Sequence, residues 1–327
     1  MVSFSLWAAL SLAIVVGRAR YDRRRRGGSS VMGTRGTRRL LRRAERRSRT
    51  EIGRWRRIEA LGRLARSRHP ASPHLLYHAL GDSNPDVSAA AIRLLGSLGD
   101  LSAIELLVAA LRDGRVSRSQ IAAQLERLEP EPGFLLLPLL RDPDPVVRFW
   151  GATLIGPYRA LGEADLIALT RDEDANVRAA AVEALGSRSG EEAAYAALAL
   201  LDDAAWFVRV HAARTAGQIA GADGAFEITR LLADTRWWVR TAAKDALRGL
   251  GREAIPALDP MLSSPDRFAR NGAAEVLQDI GLVDHLALED PDSPLLARIY
   301  AAGGPGLQEA AQSRTARLLR QRESKAA

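Results

Sequence analysis

The chain of 327 residues has no cysteine, which excludes disulfides, thiolate metal sites and cysteine nucleophiles together. Aromatic residues make up only 5% of it, so a core has to come from alanine and leucine, as in thin helices that pack closely in layers. Lysine is nearly missing, with Lys244 and Lys325 the only two, and this preference for arginine suggests a GC-rich bacterial genome. There is no P-loop, nucleophile elbow or Gly-rich dinucleotide fingerprint. The five histidines are His69, His74, His78, His211 and His285, and none is followed by a glutamate. His74 and His78 could share a helix face, but no third ligand lies nearby, so no metal site is expected. The sequence therefore predicts no catalytic residues, no cofactor and no small-molecule substrate.

A hydrophobic share of 47% beside 26% charged residues suits a folded chain. The net charge of +8 is unevenly spread. Residues 18–68 hold 20 arginines against Asp22, Glu45, Glu51 and Glu59, which leaves 27 basic and 35 acidic residues for the rest. A basic arm is thus joined to a mildly acidic remainder, and the high pI belongs to the arm.

Residues 2–16 (VSFSLWAALSLAIVV) are uncharged and, with Gly17, approach the shortest span of a bilayer, roughly 17 residues. No positive charge precedes the run, as a cleaved signal would require, and Arg18, Arg20, Arg23, Arg24, Arg25 and Arg26 follow it. The positive-inside rule then keeps the downstream chain on the cytoplasmic side. The expectation is one N-terminal transmembrane helix over 1–17 in the inner (plasma) membrane, N-terminus out, with secretion after cleavage as the alternative. Residues 18–50 read as an Arg-rich tether, and its six leading arginines as contacts for anionic lipid headgroups.

From there a pattern recurs every 29 to 31 residues. Its copies begin at Asp82, Asp113, Asp142, Asp172, Asp203, Asp234 and Ser264, for example DPDPVVRFWGATLIG, DEDANVRAAAVEALG, DAAWFVRVHAARTAG and DTRWWVRTAAKDALRGLG. Each unit reads as an apolar helix such as FLLLPLL, a turn rich in Asp and Pro, and a second helix ending in Leu-Gly. Pro145 suits the first turn of such a second helix. The glycines at 96, 156, 186, 217, 249 and 281 are expected to be left-handed C-caps. Alanines 179, 180, 212, 213, 242 and 243 allow close helix approach. A period of this kind marks a solenoid, in which no unit is stable until its neighbours cover it.

These motifs resemble the HEAT-repeat family, and in their 30-residue period the bacterial PBS-lyase HEAT-like type. The resemblance implies an all-α fold: a right-handed α-solenoid of about seven HEAT-like helix pairs over 74–281. Degenerate caps would flank it, a capping helix at 51–73 and a degenerate repeat with a capping helix at 282–327. It also implies an aspartate–arginine ladder between units, with the matching positions Asp142/Arg148, Asp172/Arg178, Asp203/Arg209 and Asp234/Arg240. Ser88 replaces the arginine of the first unit, the second has a shorter turn, and the last has Ser264 before Arg270. HEAT-like hydroxylases hold di-iron with repeated His-Glu pairs, which this chain lacks. The resemblance speaks for the fold and hardly at all for an activity.

One local anomaly points to a partner. Trp206, Trp237 and Trp238, with Phe207, occupy turn positions where other units carry small or turn-forming residues, and Phe149 and Trp150 extend the set. Beside Arg209 and Arg240 they have the chemistry of a protein-binding hot spot, although filling a gap between units is the plain alternative. A nucleic-acid face built from Arg209, His211, Arg214, Arg240, Lys244 and Arg248 ranks below it, as does a PBS-lyase-type enzyme. The function expected is a membrane-anchored scaffold for another protein.

Overall fold

The computed structural model describes residues 51–127 and 133–326. The proposed transmembrane helix at 1–17 and the six arginines behind it lie outside the described residues. Among the described residues there are helices and no strand, and no helix is long and apolar enough to cross a membrane. The chain divides into two compact units, one ending at Leu161 and the other beginning at Gly162.

The first unit contains α1 (Glu51–Ser67), α2 (Ser72–Ala79), α3 (Pro85–Leu98), α4 (Leu101–Asp113), α5 (Arg118–Leu125) and α6 (Pro145–Ile155). Prolines open α3 and α6, where a missing N–H costs nothing and the fixed φ already suits a helix. The FLLLPLL run is not the α-helix expected of it. It forms two 3-10 turns, Gly133–Leu135 and Leu137–Arg141. Pro138 lies mid-run, lacks the N–H an i→i−4 bond needs, and would clash with the preceding turn.

The second unit contains α7 (Glu163–Leu169), α8 (Ala175–Leu185), α9 (Glu191–Ala199), α10 (Trp206–Ile219), α11 (Gly221–Thr229) and α12 (Trp237–Leu250). It continues through α13 (Ile255–Met261), α14 (Arg267–Asp279), α15 (Leu282–Glu289) and α16 (Pro294–Ala326). The last element, α16, passes through Gly303–Gly306. Helix resumes on both sides of a single break at Gly304, where φ is 74°.

Six of the seven copies bury the same register. The residue five after the opening Asp or Ser (Val87, Val147, Val177, Val208, Val239 or Ala269) is at most 1% exposed. Burying a valine contributes about 1.5–3 kcal/mol, and this position recurs in every regular copy. The alanines at 179, 180, 212, 213, 242 and 243 are buried as well.

The glycines behave differently from expectation. Of the six, only Gly281 is left-handed, at φ 81°. Gly156 and Gly186 have ordinary right-handed angles, and Gly96, Gly217 and Gly249 lie inside helices. Three of them serve close approach: a Cβ on Gly217 would stand 2.7 Å from the Cβ of Ala246, one on Gly186 2.6 Å from Gln218 Oε1, and one on Gly96 2.8 Å from Gln124 Oε1. α3, α10 and α12 run one or two residues past their glycine, whereas α6 and α8 stop directly before theirs.

Candidate functional site

In five copies the turn before the second helix is built on the opening aspartate. Its Oδ1 accepts the N–H two residues on, at 2.8 Å for Asp82, 3.0 Å for Asp142, 2.9 Å for Asp172, 2.8 Å for Asp203 and 2.7 Å for Asp234. This side-chain mimic of a turn fixes where the helix starts.

Six residues later an arginine has its guanidinium divided between two tasks. Arg178 donates from Nη1 to the carbonyls of Asp172 (2.9 Å) and Glu173 (3.2 Å). Its Nε and Nη2 grip the carboxylate of Asp203, one unit further on, at 2.7 and 2.9 Å. Arg209 repeats the arrangement, with carbonyls of its own turn at 2.7 and 3.4 Å and the Asp234 carboxylate at 2.8 and 3.0 Å. Each arginine therefore meets the backbone of its own aspartate and the side chain of the next. The ladder connects units through a bidentate, charge-assisted fork.

The Asp203 side chain is 6% exposed. Burial alone would raise its carboxyl, but the Arg178 hydrogen bond, the Ala205 N–H and the charges of Arg178 and Arg209 outweigh this and hold it below the ordinary value. The same hydrogen bond raises Arg178.

Sequence reasoning missed part of this ladder. Arg57 of α1 reaches Asp82 at 3.1 Å, at the same separation of 25 residues as Arg178–Asp203 and Arg209–Asp234. Its spacing was the available signal, hidden among the arginines of the basic arm. In the first unit, Asp142 receives Arg112 Nε at 2.8 Å and Asp144 receives Arg118 Nη2 at 2.7 Å. Arg148 donates to the carbonyls of Asp142 and Pro143.

The ladder changes at Ser264. Arg240 keeps the clamp on its own turn, donating to Asp234 O at 2.8 Å and Thr235 O at 3.3 Å. The next unit offers Ser264 where a carboxylate would stand, and the Arg240 guanidinium lies over the Phe268 ring, 4.3 Å from its centroid. Among the described residues no carboxylate pairs with Arg240. Ser264 Oγ still accepts the Asp266 N–H, at 3.3 Å, so the turn itself survives.

The aromatic residues stand along the same row. Trp206 and Trp237 share one register, with Arg267 third, while Phe207, Trp238 and Phe268 share the next. Trp206, Trp237, Trp238 and Phe268 are 39%, 56%, 60% and 43% exposed, whereas Phe207 is half-buried against the core. Ring contacts run within each pair, edge-on, at 5.9 Å for Trp206–Phe207 and 4.6 Å for Trp237–Trp238. Phe268 belongs to the same row although it was not singled out from the sequence; its position four after Ser264, matching Phe207 and Trp238, was the available signal. Trp150 belongs to the first unit, half-buried and edge-on to Phe149 at 5.2 Å.

These aromatics coincide with an unusual local cost. Asn84, Asp144, Asp174 and Asp266 cap their helices through side-chain hydrogen bonds. The equivalent Ala205 and Arg236 make none, so α10 and α12 start uncapped directly before Trp206 and Trp237. A missing cap typically forgoes about 1 kcal/mol.

The basic face considered for nucleic acid is largely neutralised. Lys244 binds Glu275 at 2.8 Å, Arg248 binds Asp279 at 2.5 Å and Glu275 at 3.1 Å, and Arg209 is engaged with Asp234. His211 Nδ1 is 3.4 Å from Glu183, and Arg214 is exposed. Among the described residues no group of His, Asp or Glu is arranged to hold a metal ion.

Helix pairs of this period, tied by an arginine fork from unit to unit, define a helical-repeat protein. The chain belongs to the HEAT-repeat family: the model for HEAT repeats matches residues 38–126, 134–214, 163–248 and 196–278, more than half of the chain. The first match begins upstream of the 74 expected for the regular units, in keeping with a ladder arginine on α1. Kap121p bound to Pho4p is similar at 13% identity and a TM-score of 0.51, over 82% of this chain and 36% of that one. The CpcE–CpcF complex of phycocyanin lyase from Nostoc sp. PCC7120 matches at 20% identity and a TM-score of 0.39, over 71% of this chain and 93% of that one. Human deoxyhypusine hydroxylase in complex with glycerol matches at 20% identity and a TM-score of 0.31, over 75% and 96%. These likenesses concern the fold alone. No curated protein sequence matches the chain.

Proposed function

We propose that the chain is a scaffold that binds another protein, with Trp206, Phe207, Trp237 and Trp238 as its contact ridge and Arg209 and Arg240 beside them. One observation carries this reading: Trp206, Trp237 and Trp238 stand exposed at the starts of two helices that have given up their caps. Large apolar rings held in solvent by regular helices are what a hot spot uses, since each buries a large area on contact at low entropic cost. Trp150 is a peripheral member of this proposal, on the first unit.

The scaffold is held at a membrane in this proposal. The apolar run at 2–16 supplies the anchor, and Arg18, Arg20 and Arg23 to Arg26 bind anionic headgroups on the cytoplasmic side. No reaction is assigned to it.

The test is capture from detergent-solubilised membranes by wild type and by Trp206→Ala/Trp237→Ala/Trp238→Ala. A protein held by the first and lost from the second is the expected result. Equal capture would make the rings packing residues and end this reading. Absence of the wild-type chain from the membrane fraction would remove the anchor.

A further inference from the structure

We propose that the Arg240 fork is a receptor for a carboxylate of the partner, an Asp or Glu side chain carried on an acidic segment with an apolar neighbour. This rests on the scaffold reading and names the chemistry its ridge selects. The repeat supplies its own template. In Arg178 and Arg209, Nη1 is committed to two carbonyls of its own turn while Nε and Nη2 hold a carboxylate of the next unit. Arg240 makes the same carbonyl clamp, but the next repeat carries Ser264 at the position of that aspartate, and among the described residues no carboxylate holds Nε and Nη2. The guanidinium is therefore fixed in position and orientation by backbone, with Phe268 beneath it at 4.3 Å. A carboxylate arriving from outside would complete an interaction whose ordering cost is already met.

The substitution removes the charge without removing the turn, because Ser264 Oγ takes over the N–H of Asp266. The local fold does not need the carboxylate that its counterparts keep.

Charge around the fork favours the same ligand. Arg236 and Arg267 are exposed at the starts of α12 and α14, and Arg267 also lies over Phe268, at 4.7 Å. Arg270 donates to the carbonyls of Ser264 and Pro265 at 2.6 and 2.9 Å and has no carboxylate partner among the described residues. The nearby aspartates are engaged, Asp234 by Arg209 and Asp266 by the Ala269 N–H. Helix N-termini add to this positive field. Trp237 and Trp238 supply an apolar wall for the residue next to the acid.

The test uses the full chain in detergent and a fluorescein-labelled decapeptide of alternating Asp and Phe, with its Asn counterpart and a single-stranded oligonucleotide alongside. Fluorescence polarisation should show salt-sensitive binding of the Asp peptide, with the Asn peptide about tenfold weaker. Ser264→Asp restores the ladder carboxylate, so it should weaken the Asp peptide by about tenfold while raising the melting temperature. Ser264→Ala should bind as wild type does. Equal binding by Ser264→Asp and wild type, no binding of the Asp peptide, or tighter binding of the oligonucleotide would each overturn the proposal. Failure here is separable from failure of the scaffold reading. A partner captured by wild type and by Ser264→Asp, but lost from the triple tryptophan variant, would sink the fork and keep the ridge.

Discussion

At Asp203 one carboxylate organises the turn that starts α10 and receives the fork of Arg178 from the preceding unit. Its carboxyl lies below the ordinary value of 3.8, so the folded chain binds fewer protons there than the unfolded chain does. The stabilisation is complete above about pH 4 and is lost as pH falls through the lower folded value. Asp203→Asn keeps an oxygen for the Ala205 N–H and removes the charge from the fork. It should cost about 2 kcal/mol in urea denaturation at pH 7, with a smaller difference from wild type below pH 3. A constant difference across that range would refute the assignment. The recurrence of Asp and Arg six apart is plain in the chain, yet which aspartate each arginine grips is not. That choice depends on how neighbouring helices stack, which also brings Arg57 into the ladder.

Among the helices, the glycines show how a local signal can hold a tertiary meaning. A glycine after an apolar run reads as a helix end, but Gly217 sits inside α10 where α12 passes, and the two backbones approach too closely for a side chain. Gly217→Ala should therefore destabilise by about 1–3 kcal/mol through overpacking. Gly249, in α12, has open space around the position of a Cβ, so Gly249→Ala should stabilise by about 0.5–1 kcal/mol. Thermal denaturation of the two variants distinguishes them by sign. If both move the same way, the close approach at Gly217 does not decide its identity. The FLLLPLL run teaches a related lesson, since apolar content marked an element correctly while one proline changed its kind. The caps at Asn84, Asp144, Asp174 and Asp266 and their loss at Ala205 and Arg236 were not part of the sequence reading and came from the structure.

Within each compact unit the repeats pack on their sequence neighbours, as α10 does on α8 and α12, so stability there is a sum of local and nearest-neighbour contributions. Side chains that face solvent add little to that sum. The triple tryptophan variant should consequently keep the wild-type unfolding midpoint, with each exposed ring worth no more than about 0.5 kcal/mol. A large drop would mean that the rings support the fold and do not serve a partner.

The chain by itself determined the period, the all-helical class, the positions of the turns and the membership of the HEAT-repeat family, because each repeats and is written in local chemistry. It also marked Trp206, Trp237 and Trp238 as out of place among turn-forming residues. Only the tertiary structure decided that these rings are exposed, that the forks of Arg178 and Arg209 reach forward to Asp203 and Asp234, and that Arg240 is clamped beside Ser264 with no carboxylate partner among the described residues. Exposure and pairing arise between units, across separations of 25 to 31 residues, where the spacing of residues along one helix carries no information about what a side chain meets.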